Sequence, residues 1–180
     1  MALFDIFRKK TPSVEDFDTT PSQHIKFALT EDVLDINGTQ ITIPCHKDVL
    51  KDIFGEYTLS MDNIGGTGIR YIYLWHELGI IAYSKDDENV NCISIQFFPN
   101  AKKYSPNSTK NIFGGSVTVD GADWMTLFVD EKQPKLDGMT LPFKMRHYGN
   151  FSLLVSVADK PKGRIRSLGI NKRTELNLGG

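Results

Sequence analysis

The sequence predicts an α+β fold, mainly antiparallel sheet with one or two short helices packed on one face. Two dipeptides, Asn37-Gly38 and Asp120-Gly121, are typical of tight hairpin turns, because such turns require positive φ. Runs in which apolar and polar residues alternate, as in half-buried strands, occupy much of the chain. One clear helical repeat of apolar residues lies between the first hairpin and the later strands.

The first half of the chain is predicted to form a hairpin, a helix and a three-stranded meander. The hairpin covers residues 34–43. The helix covers roughly residues 46–54, where four apolar residues recur at helical spacing, and Gly55 follows the last of them, where a left-handed cap is commonest. The strands of the meander are expected at residues 69–76, 79–83 and 91–98.

The second half is predicted to continue with sheet. Residues 111–119 form a strand that enters the second hairpin turn, and residues 122–129 fit a strand or a short helix equally well. Residues 144–158 carry the clearest alternation of this half, and residues 164–170 return as their partner strand. Residues 23–29 fit a short strand or a helical turn, and this alternative stays open.

The N-terminal part of the chain differs from the rest. Residues 1–10 form a short apolar segment that ends in three cations, and residues 11–24 are polar, as in a linker. The first ten residues are therefore either a helix that docks on the protein itself or a weak contact with an anionic membrane surface. We assign residues 1–30 to an N-terminal amphipathic segment and linker, and residues 31–180 to a single α+β domain. A subdivision of that domain near residues 100–110 stays open.

Composition excludes several classes of protein. The 180 residues are 40% hydrophobic and 24% charged, as in an ordinary globular protein, and the formal net charge is −1. This charge argues against a general electrostatic grip on nucleic acid. No apolar run reaches the roughly 20 residues that a transmembrane helix needs. Two cysteines and no signal peptide predict a cytoplasmic protein, because disulfides are rare in a reducing compartment.

The meander supplies the candidate binding surface. Ile72 and Leu74 share one face of a strand, and this aliphatic face is expected to receive the helix. The opposite face is aromatic, and it is either a surface for a partner protein or core that the second half of the chain covers. The acidic loop at its rim, residues 85–89, would steer a basic partner. The predicted partner-binding residues are Tyr71, Tyr73, Trp75, Tyr83, Asp86, Asp87 and Glu88.

No catalytic residue, metal site or cofactor is predicted. The four histidines are scattered, and Cys45 and His46 are too close in sequence to act as a pair. The glycine-rich loop at residues 63–68 follows a helix and precedes a strand, which is the reverse of a phosphate-binding loop. The basic residues between 160 and 173 have no aromatic residue among them on which a nucleic-acid base would stack.

The chain resembles an uncharacterised bacterial family, a domain of unknown function, over roughly residues 34–125. The segments that carry the resemblance are Ile36-Asn37-Gly38, Ile43-Pro44, Phe54-Gly55, Tyr73-Leu74-Trp75, Gly79-Ile80, Ala82-Tyr83-Ser84 and Ile93-Ser94-Ile95, with Phe97. The order of helix and then meander is also similar to the half-repeat of beta-lactamase-inhibitor-like and outer-membrane assembly lipoprotein folds, whose sheets bind partner proteins. This chain lacks the signal peptide and lipobox cysteine of those exported proteins, so their location and roles do not carry over.

These observations predict a non-catalytic bacterial module that binds another protein, for example an immunity protein that neutralises a toxin. One alternative is a small hydrolase or nucleotide-handling enzyme with a dispersed site that includes His76, Glu77 and His147. A second alternative is a peripheral membrane accessory protein that uses residues 1–10. No nucleic-acid partner is expected, and the oligomeric state stays open.

Overall fold

A computed structural model describes residues 24–63, 68–97, 108–130, 135–136, 139–140, 143–157 and 165–173. Strands account for 56% of it and helices for 11%. The predicted α+β class is therefore wrong, and the protein is nearly all-β. The described part of the chain has one α-helix, and the second expected helix is only a short 3-10 turn. Each of these two helical elements directly follows a short strand, and they do not form a helical layer of their own.

The strands form two large sheets and one separate two-stranded sheet. In chain order the elements are β1 (Lys26–Leu29), β2 (Leu34–Ile36), β3 (Thr39–Ile41), β4 (Cys45–His46), α1 (Lys47–Phe54), β5 (Thr58–Asn63), β6 (Ile69–Trp75), β7 (Ile80–Ser84), β8 (Asn89–Gln96), β9 (Ser116–Val119), β10 (Ala122–Asp123), a 3-10 helix (Trp124–Phe128), β11 (Lys135–Leu136), β12 (Met139–Thr140), β13 (Phe143–Tyr148), β14 (Phe151–Val157) and β15 (Ile165–Lys172). The two-stranded sheet consists of β11 and β12.

The smaller of the two large sheets has five strands in the order β10-β9-β1-β2-β3. Both predicted hairpin turns lie in it and are confirmed, with φ of 54° and 88° at Asn37 and Gly38 and of 50° and 77° at Asp120 and Gly121. Strand β1 pairs with β9 in parallel, although the two are far apart in sequence. This pairing joins the first hairpin to the second and makes one sheet of them.

The larger sheet has eight strands in the order β13-β14-β15-β8-β7-β6-β5, with the short β4 paired to one end of β8. The predicted meander is confirmed as β6, β7 and β8. The expected long strand at residues 144–158 is instead two strands, β13 and β14, that turn at Gly149 and Asn150. Strand β5 was not predicted, and it forms one end of this sheet.

The two sheets share one hydrophobic core, in which Phe27, Leu34 and Val117 of the small sheet pack with Ile93 and Leu153 of the large one. A chain of aromatic rings crosses this core. Each ring lies within 4.9–6.1 Å of the next, and the order is Tyr73, Tyr57, Trp75, Phe54, Phe27, Phe113, Phe97, Trp124 and Phe128. All but one of these pairs are tilted or edge-to-face, and the Phe97–Trp124 pair is stacked; aromatic pairs in such arrangements stabilise a core beyond the area that they bury.

Helix α1 is confirmed within one residue of its expected start, and Gly55 ends it with a φ of 85°. The face of the sheet on which it packs was predicted wrongly. Phe54 lies on the ring of Trp75, so the helix covers the aromatic face of the meander and not the aliphatic face. The reason is the strand register, which places Ile93 beside Ala82 and Tyr73 and gives the core face its own aliphatic residues.

Several sequence predictions lie outside the described residues. They are the N-terminal segment and most of the linker at residues 1–23, most of the glycine-rich loop at 64–67, and most of the possible subdivision near residues 100–110.

We predict that alanine at Gly79 destabilises the fold more than alanine at Gly121. Both residues have positive φ, which costs about 1–2 kcal/mol with a side chain. A Cβ at Gly79 would also clash with the Phe113 backbone nitrogen, whereas one at Gly121 would meet no atom of the described residues within 4 Å. Such overpacking adds roughly 1–3 kcal/mol. Urea unfolding of Gly79→Ala and Gly121→Ala measures the difference, and equal losses would show that the turn does not pack on Phe113.

Candidate functional site

The predicted partner-binding aromatic residues lie on both faces of the large sheet. Tyr73 and Trp75 are 0% and 3% exposed, within the core shared by the two sheets. The Trp75 Nε1–H donates to the Gly55 carbonyl oxygen at 2.9 Å, which satisfies the indole in the interior. Tyr71 is half-buried at the margin of the same core. Tyr83 lies on the opposite face, against Ile72, Leu74 and Ile81.

The acidic loop is attached to the core through Tyr73. The Tyr73 hydroxyl donates to Asp87 Oδ1 at 2.9 Å, and Lys47 Nζ lies 3.4 Å from the same oxygen. Burial, followed by this hydrogen bond, raises the pKa of Tyr73 well above its usual value. The hydroxyl therefore remains protonated and continues to donate, so Asp87 is held beside the end of β6.

Asp86 organises the rest of the acidic loop. Its Oδ1 accepts from the backbone N–H of Asn89 at 2.7 Å, from that of Glu88 at 3.0 Å and from the Ser84 hydroxyl at 3.0 Å. Hydrogen bonds lower the pKa of Asp86 well below its usual value. Those from Asn89 are the largest cause, and those from Glu88 and Ser84 add to them. Glu88 is exposed beside it. Asp86 and Glu88 thus present negative charge to solvent, whereas Asp87 is paired with Lys47.

An exposed apolar surface, which was not predicted, lies next to this loop. Leu59 and Met61 of β5 are 45% and 60% exposed, and Ile69 of β6 is 54% exposed. Met61 is opposite Tyr71 and Leu59 is opposite Tyr73, so these side chains extend from the same face. We call Leu59, Met61, Ile69 and Tyr71 the β5 patch. It continues the aromatic face of β6 outward from the core.

The register also places the acidic loop at the margin of the β5 patch. Tyr71 pairs with Ser84, the last residue of β7, and the acidic loop begins directly after Ser84. One corner of the large sheet therefore combines exposed apolar side chains with oriented carboxylates. Large exposed apolar side chains are typical of interaction surfaces when they are contiguous and have polar residues at their rim.

The residues of the hydrolase alternative do not meet. His76 and Glu77 follow β6, while His147 lies on β13, five strand spacings or about 24 Å away across the sheet. Glu77 Oε2 accepts from the Asn111 side chain at 3.1 Å, and His147 Nδ1 lies 2.9 Å from the Ser152 hydroxyl. Burial lowers the pKa of His76, whose Nδ1 has no hydrogen-bond partner among the described residues.

No group of His, Cys, Asp or Glu side chains suited to a metal ion occurs among the described residues. Cys45 and Cys92 are both free thiols. Burial raises the pKa of Cys45 to about 11 and that of Cys92 to about 12, so neither forms the reactive thiolate near neutral pH. In the described part of the chain, no helix combines the length and the apolar character needed to cross a membrane.

The fold and this corner define a nearly all-β protein with a candidate surface for protein recognition. The chain belongs to the family described as Domain of unknown function (DUF7738), whose model matches residues 26–132. The expected membership of a family of unknown function is thereby confirmed. The matched range runs from β1 through the 3-10 helix and includes the β5 patch and the acidic loop. No curated protein and no solved structure matches the chain.

We predict that Asp86→Ala lowers the free energy of unfolding at neutral pH more than Glu88→Gln does. The folded pKa of Asp86 is lowered, so its hydrogen bonds stabilise the protein above about pH 4, and this contribution is lost as the pH falls through the folded pKa. Urea unfolding between neutral and acidic pH tests this. Asp86→Ala should be less stable at neutral pH and should lose less stability in acid than the unchanged protein.

Glu88→Gln removes a charge from the same loop and leaves the hydrogen bonds of Asp86 intact. An identical pH dependence for Asp86→Ala and the unchanged protein would contradict the role that we assign to the Asp86 carboxylate.

Proposed function

We propose that this protein is a non-catalytic module that binds another protein through the β5 patch. The observation that supports this most directly is the exposure of Leu59, Met61 and Ile69 on one contiguous face. Aromatic residues and methionine are enriched at protein interfaces, and charged residues are depleted in the buried centre. Tyr71 supplies the aromatic member, half-buried and already ordered by its core contacts.

The charge beside the β5 patch supports a basic partner. Asp86 and Glu88 are exposed, and Asp87 is held toward the patch by Tyr73 and Lys47. Fixed carboxylates at a rim speed association with a basic surface and disfavour acidic partners. They add less to affinity than the apolar centre does, because water and salt screen exposed charges.

In its finer form, the proposal is an immunity protein that neutralises a toxin in the cytoplasm of a bacterium. A toxin that acts on nucleic acid needs basic side chains to contact phosphates. A surface with an apolar centre and an acidic rim is complementary to such a site. The partner is then a protein, and this chain takes no part in its chemistry beyond covering it.

The two alternatives have less support. The hydrolase would need His76, Glu77 and His147 in one pocket, and the strand order separates them. The membrane accessory would act through residues 1–10, which lie outside the described residues. We therefore propose neither.

We predict that Met61→Lys weakens partner binding by about thirtyfold or more, the cost of removing an interface hot spot. The added charge would have to be buried at the centre of the interface. The test is capture of the tagged protein from its native cells, identification of the stoichiometric partner by mass spectrometry, and titration of the purified pair.

The matched control is Met125→Lys, the same change at an exposed methionine of the 3-10 helix. Its affinity should equal that of the unchanged chain, and urea unfolding should show that both variants fold. A stoichiometric partner that binds Met61→Lys as tightly as Met125→Lys would exclude the β5 patch as the binding surface.

A further inference from the structure

The face of the large sheet that points away from the core contains a cavity of about 450 Å³. Its floor is formed by β14, β15, β8 and β7, and the register fixes which side chains are neighbours. Ser156 lies opposite Ser167, which lies opposite Gln96. The next row joins Gly169 to Ser94. The size is within the range of small-molecule sites, about 300–1,000 Å³.

Gly169 creates the hollow in this floor. It lies within strand β15, where glycine weakens a sheet and often marks the close approach of a ligand. Neither sterics nor backbone conformation requires glycine here. A Cβ would meet its nearest atoms, in Asn171 and Leu154, at 3.6 and 3.7 Å, which is ordinary van der Waals contact, and φ is not in the left-handed region. A side chain is therefore tolerated at this position, and its absence leaves the cavity open.

The cavity offers hydrogen-bond donors and positive charge. Arg166 lines it, and the Arg166 Nε is shielded from solvent with no hydrogen-bond partner among the described residues. The Nε itself is covered by protein, so an anion in the cavity would accept from the terminal nitrogens of the Arg166 guanidinium. Arg70 also lines the cavity, but its Nε already donates to Asp62 at 3.0 Å. Among the described residues that line the cavity there is no carboxylate.

The serine hydroxyls complete the donor set. The Ser94 Oγ accepts from the Gln96 amide at 2.9 Å, which leaves the Ser94 hydroxyl hydrogen to donate elsewhere. Ser94 and Ser167 are both buried, so hydrogen bonds to their hydroxyls lie at the base of the cavity. A hydrogen bond from a donor to a charged acceptor contributes more under these conditions than at an exposed site.

We propose that this cavity binds a small organic anion, a carboxylate or a phosphate ester. Arg166 binds the charged group of the ligand, and the polar remainder of the ligand lies over Gly169. The hydroxyls of Ser94 and Ser167 donate to oxygens of the ligand. This site is on the opposite face of the sheet from the β5 patch, and the inference does not depend on the protein-binding function.

The test is titration of the full chain with glycerol 3-phosphate and with citrate, followed by amide NMR, with glycerol as the uncharged match. At least one anion should shift the amides of Ser94, Gln96, Ser167 and Gly169, and glycerol should not. A shift with only one of the two anions identifies phosphate or carboxylate as the charge that the site takes. The proposal would be overturned if neither anion shifted these amides, or if glycerol shifted them equally.

Two variants test the roles of charge and space. Arg166→Gln should weaken anion binding by about tenfold or more, because a hydrogen bond to a charged group is lost. Gly169→Val should abolish binding by filling the cavity, with the amide spectrum showing an intact fold. If Gly169→Val does not fold, Arg166→Gln decides alone. Unchanged affinity in Arg166→Gln would refute the assigned role of Arg166 and, with it, the site.

Discussion

The aromatic chain between the two sheets determines most of the architecture. Trp75 is fixed from two directions, by the ring of Phe54 and by its hydrogen bond to the Gly55 carbonyl. Helix α1 and the segment after it must therefore cover the β6 end of the large sheet. Phe27 continues the contacts into the small sheet. This layer ends at Tyr73, so the apolar side chains farther along the same face are left exposed on β5 and β6.

Local features of the sequence predicted the fold better than long-range ones did. The turns at Asn37-Gly38 and Asp120-Gly121 were predicted because their chemistry is contained in two residues. The role of the aromatic face of the meander could not be determined from sequence, because it depends on the register that puts Tyr73 beside Ala82 and Ile93. Shifting a strand by one residue would exchange its faces. The parallel pairing of β1 with β9 has no local signal at all.

The candidate site was predicted in part. The acidic loop was recognised from its composition, and its position depends on hydrogen bonds of Asp86 and Asp87 that a sequence does not reveal. Leu59 and Met61 were missed because Thr58–Asn63 alternates through only two apolar residues, too few to identify a strand. The large sheet thus carries two different chemistries. Its core face extends into an apolar corner suited to a protein, and its outer face contains a polar cavity suited to an anion.

The central claim is that the partner binds to the β5 patch rather than to the buried aromatic residues Tyr73 and Trp75. Photo-crosslinking in the native cells tests it most directly, with a photoreactive amino acid at position 61 and, as the comparison, at position 125. The account predicts one discrete protein adduct from position 61 and none of that mass from position 125. The same adduct from both positions, or from position 125 alone, would contradict it.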